Sequence, residues 1–189
     1  MTNDDYCREC IRTWVKSGWY TPEEVERRLE DIVEEDDVVD ALRQFAQAEV
    51  RAQDALEAAW PSETDCDRID RAFAAISSER IVALQNAGYT MSDGHSDVGE
   101  VLAPHPTGTF RGYCFYHGQD LERAVHTGQL YLAYADLRDT PQGKLAIGRV
   151  VVEAFRKQGF VCEWNEDVDK RILVTGIDWK RRRPRGRAE

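Results

Sequence analysis

Two hydrophobic periods divide this chain. Up to about residue 79, apolar side chains recur at helical spacing. Between residues 110 and 179 they gather into short runs separated by one brief and one long helical pattern. The second stretch reads strand, short helix, strand, long helix, strand, turn, strand. Gly112-Tyr-Cys-Phe-Tyr116 and Leu130-Tyr-Leu-Ala-Tyr134 are apolar on both faces, as central strands are. The 13 residues between them are about the minimum for a crossover, so a parallel pair is expected. Leu121, Ala124 and Val125 form the inner face of the short helix, which Gly128 stops. Thr140-Pro141 opens the long helix, with Leu145, Ile147, Val151, Ala154 and Phe155 inward, running to about residue 158. Phe160, Cys162 and Trp164 alternate as a strand, and residues 171–175 return antiparallel after a polar turn.

The first 62 residues predict helices alone. Tyr6, Cys10 and Trp14 with Cys7, Ile11 and Val15 make a stripe that Ser17-Gly18 stops. Thr21-Pro22-Glu23-Glu24 has the Thr, Pro and later Glu of a helix start. Four consecutive carboxylates, Glu34, Glu35, Asp36 and Asp37, break that helix by mutual repulsion, and another follows from about residue 38 to 59. Thr64-Asp65-Cys66-Asp67 caps one more helix, and Ile81-Val82-Ala83-Leu84 is a strand. Residues 86–109 hold four Gly and two Pro and are expected as irregular loop. The resulting expectation is an α+β fold: a mixed sheet of about five strands with helices packed on it and a helical N-terminal region. Residues 1–62 form that region, 63–179 the sheet domain, and 180–189 a disordered basic tail.

Several function classes are excluded on composition and motif. No apolar run approaches the roughly 20 residues of a membrane span, and the N-terminus lacks the basic and apolar segments of a secretory signal. A cytoplasmic protein with no membrane partner is expected. Five scattered cysteines make no disulfide framework. No phosphate-binding glycine loop, dinucleotide fingerprint or serine elbow is present. The net charge is −10, but the tail holds six cationic residues, so residues 1–179 carry 19 basic against 34 acidic residues. Such a body repels nucleic acid and steers toward basic partners; only the tail offers a nucleic-acid contact.

The blocks Ile81-Val-Ala-Leu-Gln-Asn-Ala-Gly-Tyr89, Met91-Ser-Asp-Gly94, Gly112-Tyr-Cys-Phe-Tyr-His-Gly-Gln-Asp120, Leu130-Tyr-Leu-Ala-Tyr134 and Ile177-Asp-Trp-Lys180 resemble an uncharacterised bacterial domain family. Its members carry an aromatic-aromatic-His-x-Gln-Asp turn followed by a Leu-Tyr-Leu-Ala strand. The likeness covers about residues 65–182. It implies an α/β body and bacterial origin, and it transfers no catalytic residues.

Three constellations carry chemistry. His117-Gly118-Gln119-Asp120 lies where a strand enters a helix. At the carboxyl edge of a parallel pair His117 would serve as acid or base, oriented by Asp120, with the Gly118 and Gly143 amides binding an anion. The same residues equally make an ordinary helix start, with Gly118 for the bend and Asp120 in the first turn. Asp93-Gly94-His95-Ser96-Asp97 has ligands suited to a divalent ion such as Zn²⁺ or Mn²⁺, or is an Asx-rich turn. Cys7 and Cys10, three apart on a helix, are core rather than half a zinc ribbon.

Three functions follow as expectations. The favoured one is a non-catalytic protein-binding domain without a cofactor, of the kind that neutralises a basic toxin or effector as an immunity protein does. Its contacts would be Glu34, Glu35, Asp36 and Asp37, the aromatics Trp19, Tyr20 and Tyr89, and Asp93, Gly118 and Gln119. The second is a small enzyme using His117 and Asp120, with His95 and Asp97 holding a metal. The third is a nucleic-acid accessory role through the tail.

Overall fold

The helix starts are written in local hydrogen bonds. In the computed structural model, which describes residues 2–33 and 36–184, Thr2 caps α1 (Asn3–Ser17) and Thr21 caps α2 (Pro22–Leu29). Each hydroxyl accepts an amide three residues on while the acid at that position reaches back to the cap. Gly18 ends α1 at φ +69°, a left-handed conformation that favours glycine. α3 (Asp36–Glu57) completes this group. Cys7, Ile11, Val15, Val25, Leu29, Leu42 and Ala46 form its buried core. By its internal contacts the chain divides into two units, residues 1–64 with 179–189 and residues 65–178. The sheet unit is therefore inserted in the sequence of the helical one.

The sheet unit begins with α4 (Asp65–Ser78) and β1 (Ile81–Leu84), then α5 (Met91–Leu102), β2 (Gly112–Phe115), α6 (Gly118–Thr127), β3 (Leu130–Asp136), α7 (Pro141–Lys157), β4 (Val161–Glu163) and β5 (Ile172–Thr175). The strand order is β1-β2-β3-β5-β4, a mixed five-stranded sheet, so the fold is α+β. Cys114 of β2 and Tyr116 just beyond its end point to one face of the sheet and Phe115 to the other. Phe73 of α4 meets Tyr116 and Phe155 of α7 edge-on at 5.7 and 5.8 Å. Phe115 packs with Val82 and Val98 under α5.

Three expectations need correction. β1 and β2 are parallel, but β2 and β3 are antiparallel, with Gly112 opposite Asp136 and Phe115 opposite Ala133. Ten of the intervening residues are the α6 helix, and β3 starts three residues beyond the end of α6. Too little chain is left for α6 to lead back to the start of β2, as a parallel return demands. Residues 91–102, expected as loop, are helix α5. Thr90 and Asp93 form its capping box, and Gly94 is there because a Cβ would strike the Phe115 ring.

The third correction concerns the tail. Residues 180–184 are laid against their own helical unit. Trp179 Nε1 donates to the Ser17 carbonyl at 2.9 Å, and the Arg181 guanidinium lies 4.3 Å from the Trp19 ring. Arg183 is buried, donating to the Val50 carbonyl at 3.1 Å and to Asp54. Residues 185–189 lie outside the described ones.

Candidate functional site

Two edges of the sheet collect polar side chains, and they differ in kind. At the carboxyl ends of the parallel strands β1 and β2 the loops carrying Tyr89 and His117 meet. His117 is the N-cap of α6: its Nδ1 accepts the Asp120 amide at 3.4 Å, and its Nε2 lies 3.1 Å from Asp120 Oδ2. An imidazole that accepts at Nδ1 carries its proton on Nε2. Arg171, at the mouth of β5, donates from Nη1 to both Asp120 oxygens at 3.0 and 2.9 Å and rests 4.8 Å from the Tyr131 ring. His117 and Asp120 are 4% and 3% exposed. Burial holds the imidazole below its ordinary range; Asp120 opposes that shift and Arg171 adds to it.

The hollow expected around this ring is filled. The leading amides of α6 point inward to the protein: Gly118 donates to the Gly88 carbonyl at 2.9 Å and Gln119 to the Tyr89 carbonyl at 3.2 Å. A Cβ on Gly118 would stand 2.7 Å from the Tyr89 ring, so the glycine serves close packing. The Gly143 amide is likewise taken, by the Thr140 hydroxyl at 3.0 Å. An anion therefore finds neither amide free. With β3 antiparallel and the ring buried, His117 and Asp120 face each other and Arg171 rather than an open hollow.

The other candidates are dispersed. Asp93 accepts from the Thr90 amide and hydroxyl at 2.9 and 3.0 Å, which lower its pKa. His95 is exposed on α5, edge-on to Tyr113 and Phe115 at 5.6 and 5.3 Å. Asp97 lines a shallow hollow of about 390 Å³ with Glu100. Among the described residues no three His, Cys, Asp or Glu side chains gather as they would around a metal ion. Trp19 is covered by Arg181, and Tyr20 packs on the helical core with Arg28 4.0 Å from its ring, so neither stands out as an anchor. Tyr89 does, at 54% exposure. Glu34 and Glu35 lie outside the described residues, as do the side chains of Asp36 and Asp37. All five cysteines are free thiols; burial raises the Cys114 pKa and pushes Cys162 up to about 11.

The opposite edge was missed by sequence reasoning. There β1 and β2 begin and β3 ends, and a cavity of about 810 Å³ opens. Arg80 and Arg111 each precede a strand, and Arg138 follows one. Together with His105, Phe110 and Asp136 they line the opening. Arg80 donates from Nε to the Thr109 carbonyl at 2.9 Å and from Nη2 to that of Gly108. Arg111 donates to the Glu79 carbonyl and carboxylate at 2.8 and 3.0 Å. The Asp136 carboxylate is turned away into the Thr140 amide and hydroxyl at 3.2 and 2.8 Å. Its burial acts to raise its pKa, but these bonds and Arg138 outweigh that and hold it low. Once β2 and β3 are known to be antiparallel, the three arginines fall on one edge; the parallel reading sends Arg138 to the other.

This is a mixed-sheet domain with one closed edge and one open, cationic edge, inserted into a small helical unit. The chain belongs to the family described as Domain of unknown function (DUF6891), whose model matches residues 2–183 and so takes in the helical unit as well as the sheet. No curated protein and no solved structure matches it. No described helix is long and apolar enough to cross a membrane.

Proposed function

We propose that this protein acts by binding rather than by catalysis, presenting the face around Tyr89 to a protein with a basic surface. The observation that carries this reading is Tyr89 itself, a large aromatic more than half exposed yet held in place. Its amide donates to Asp93 at 3.2 Å, its carbonyl accepts from Gln119, and its hydroxyl donates to Glu122 at 3.3 Å. Rigid exposed aromatics make effective interface anchors because little entropy is lost on docking. Carboxylates surround it. Asp93, Asp97 and Glu100 follow one another at helical spacing along α5, and Glu122 stands beside the ring. An anionic rim speeds encounter with a cationic partner and excludes anionic ones. A basic toxin or effector, neutralised by occupation of its cleft, is the partner class that this chemistry fits.

The test is quantitative capture from the source cells by the full chain, comparing wild type with Tyr89→Ala and with Asp97→Lys/Glu100→Lys. A basic protein held by wild type should be released about 10-fold or more readily by Tyr89→Ala, the scale of an aromatic hot spot. The charge-reversed form should lose it in a salt-dependent way. Equal retention by all three forms would remove Tyr89 and its rim from the function.

A further inference from the structure

The cationic cavity lies at the other edge of the sheet from Tyr89, and its chemistry is opposite in sign to the body that contains it. Residues 1–179 carry 19 basic against 34 acidic residues, yet three arginines line one opening. Two of them are fixed in orientation. Arg80 and Arg111 are each tied through Nε and Nη2 to backbone or to Glu79, which leaves Nη1 of each without an intramolecular hydrogen bond among the described residues. Arg138 is exposed; its backbone amide donates to Asp136, while its guanidinium makes no hydrogen bond among the described residues and acts on Asp136 through its charge. Asp136 is the cavity's lining carboxylate, and its Oδ2 is engaged by Thr140, so it offers an incoming anion little opposition.

The remaining lining mixes the polar side chains of Thr107, Thr140 and Gln142 with apolar and aromatic ones. Phe110 stands edge-on to His105 at 5.2 Å, and Leu102, Leu137 and Ile147 share the same opening. A volume of about 810 Å³ lies within the range of small-molecule sites. Three separated guanidinium groups are better matched by a phosphate monoester, with three free oxygens, than by a carboxylate with two. We infer that this cavity is a binding site for a phosphorylated small molecule of nucleotide size. Arg80, Arg111 and Arg138 would hold the phosphate, and a planar ring would pack against Phe110 and His105. This site is independent of the Tyr89 surface, and either can fail without the other.

The experiment is a titration of the full chain, followed by calorimetry and by backbone amide shifts, with adenosine monophosphate, inorganic phosphate and adenosine as probes. Adenosine monophosphate should bind saturably and weaken as salt rises; phosphate should bind more weakly, and adenosine should not bind detectably. Arg138→Ala removes an exposed guanidinium that makes no hydrogen bond among the described residues and keeps the backbone amide that binds Asp136, so it should melt close to wild type while binding about 10- to 100-fold more weakly. Wild-type shifts should be confined to residues 80, 102–111 and 136–147, a readout that stands even if the variant were poorly folded. The assignment is overturned if wild type shows no saturable response to adenosine monophosphate, if adenosine binds equally well, if the shifts fall elsewhere, or if a folded Arg138→Ala retains full affinity.

Discussion

Arg183→Ala is expected to lower the melting temperature of the helical unit by roughly 10–20 °C, because a residue near the end of the chain is one of its buried polar groups. The Arg183 side chain is 6% exposed and donates to the Val50 carbonyl and to Asp54, with Glu57 Oε1 3.7 Å from its Nε. These contributions differ in weight. Asp54 is 62% exposed, so water screens that pair and it adds little. Glu57 is 17% exposed, and its Oε1 has no hydrogen-bond partner among the described residues, so losing the nearby cation leaves a largely buried carboxylate uncompensated. With the lost bond to Val50 the cost is about 2–3 kcal/mol, and a unit of this size loses about 4–8 °C per kcal/mol. Four of the five tryptophans, Trp14, Trp19, Trp60 and Trp179, lie in this unit. Fluorescence of a Trp164→Phe background therefore reports its unfolding. The double form Arg183→Met/Glu57→Gln should recover much of the loss, since both members of the ion pair are then gone. If a chain ending at Asp178 melts as the whole chain does, the strap contributes nothing.

The same segment shows why sequence reasoning succeeded in some places and failed in others. A run of Lys and Arg is normally a solvated terminus, and nothing local says that Arg181 will lie on a tryptophan 162 positions earlier, or that Arg183 will find the α3 carbonyls. Local signals did carry far. The caps at Thr21 and Thr140, the stops at Gly18 and Gly128 and the apolar stripe of α7 are all decided within one or two turns, and the helices form where those signals stand.

Signals that needed a distant partner were misread or silent. Glycine depresses helix propensity by about 1 kcal/mol, so Gly94 and Gly99 hid helix α5. Gly94 is there for the Phe115 ring, a contact no local pattern encodes. The direction of β3 depends on how far α6 carries the chain, which a count of 13 residues brackets but does not decide. His117-Gly118-Gln119-Asp120 was legible as a helix start. Its Arg171 partner, 51 residues away, was not, and that arginine is what makes the turn a closed ion pair rather than an open site.

Asp120→Ala is expected to destabilise the sheet unit by about 2–4 kcal/mol and to change how its stability depends on pH. The carboxylate is buried, holds Arg171 through two bonds and completes the α6 cap with His117. Loss of a cap costs about 1 kcal/mol. The rest is the stranded guanidinium, discounted because the Arg171 side chain is 36% exposed and can turn to water. The pH effect runs through His117. Burial depresses its pKa below the ordinary 6.5, with Asp120 raising it and Arg171 lowering it. A base depressed in the folded state binds fewer protons than in the unfolded chain, so its stabilisation is full above 6.5 and is lost as pH falls through that value toward the folded one. Removing Asp120 withdraws the raising influence and widens that window downward. Urea midpoints followed by the Trp164 indole NMR signal should therefore fall between about pH 7.5 and pH 5 in wild type. They should fall less in His117→Gln, which has no imidazole to titrate, and more steeply in Asp120→Asn, which keeps the side-chain shape and loses the charge. Identical slopes for wild type and His117→Gln would mean that the ring is not held neutral by burial, and the structural role assigned to the His117–Asp120–Arg171 cluster would go with it.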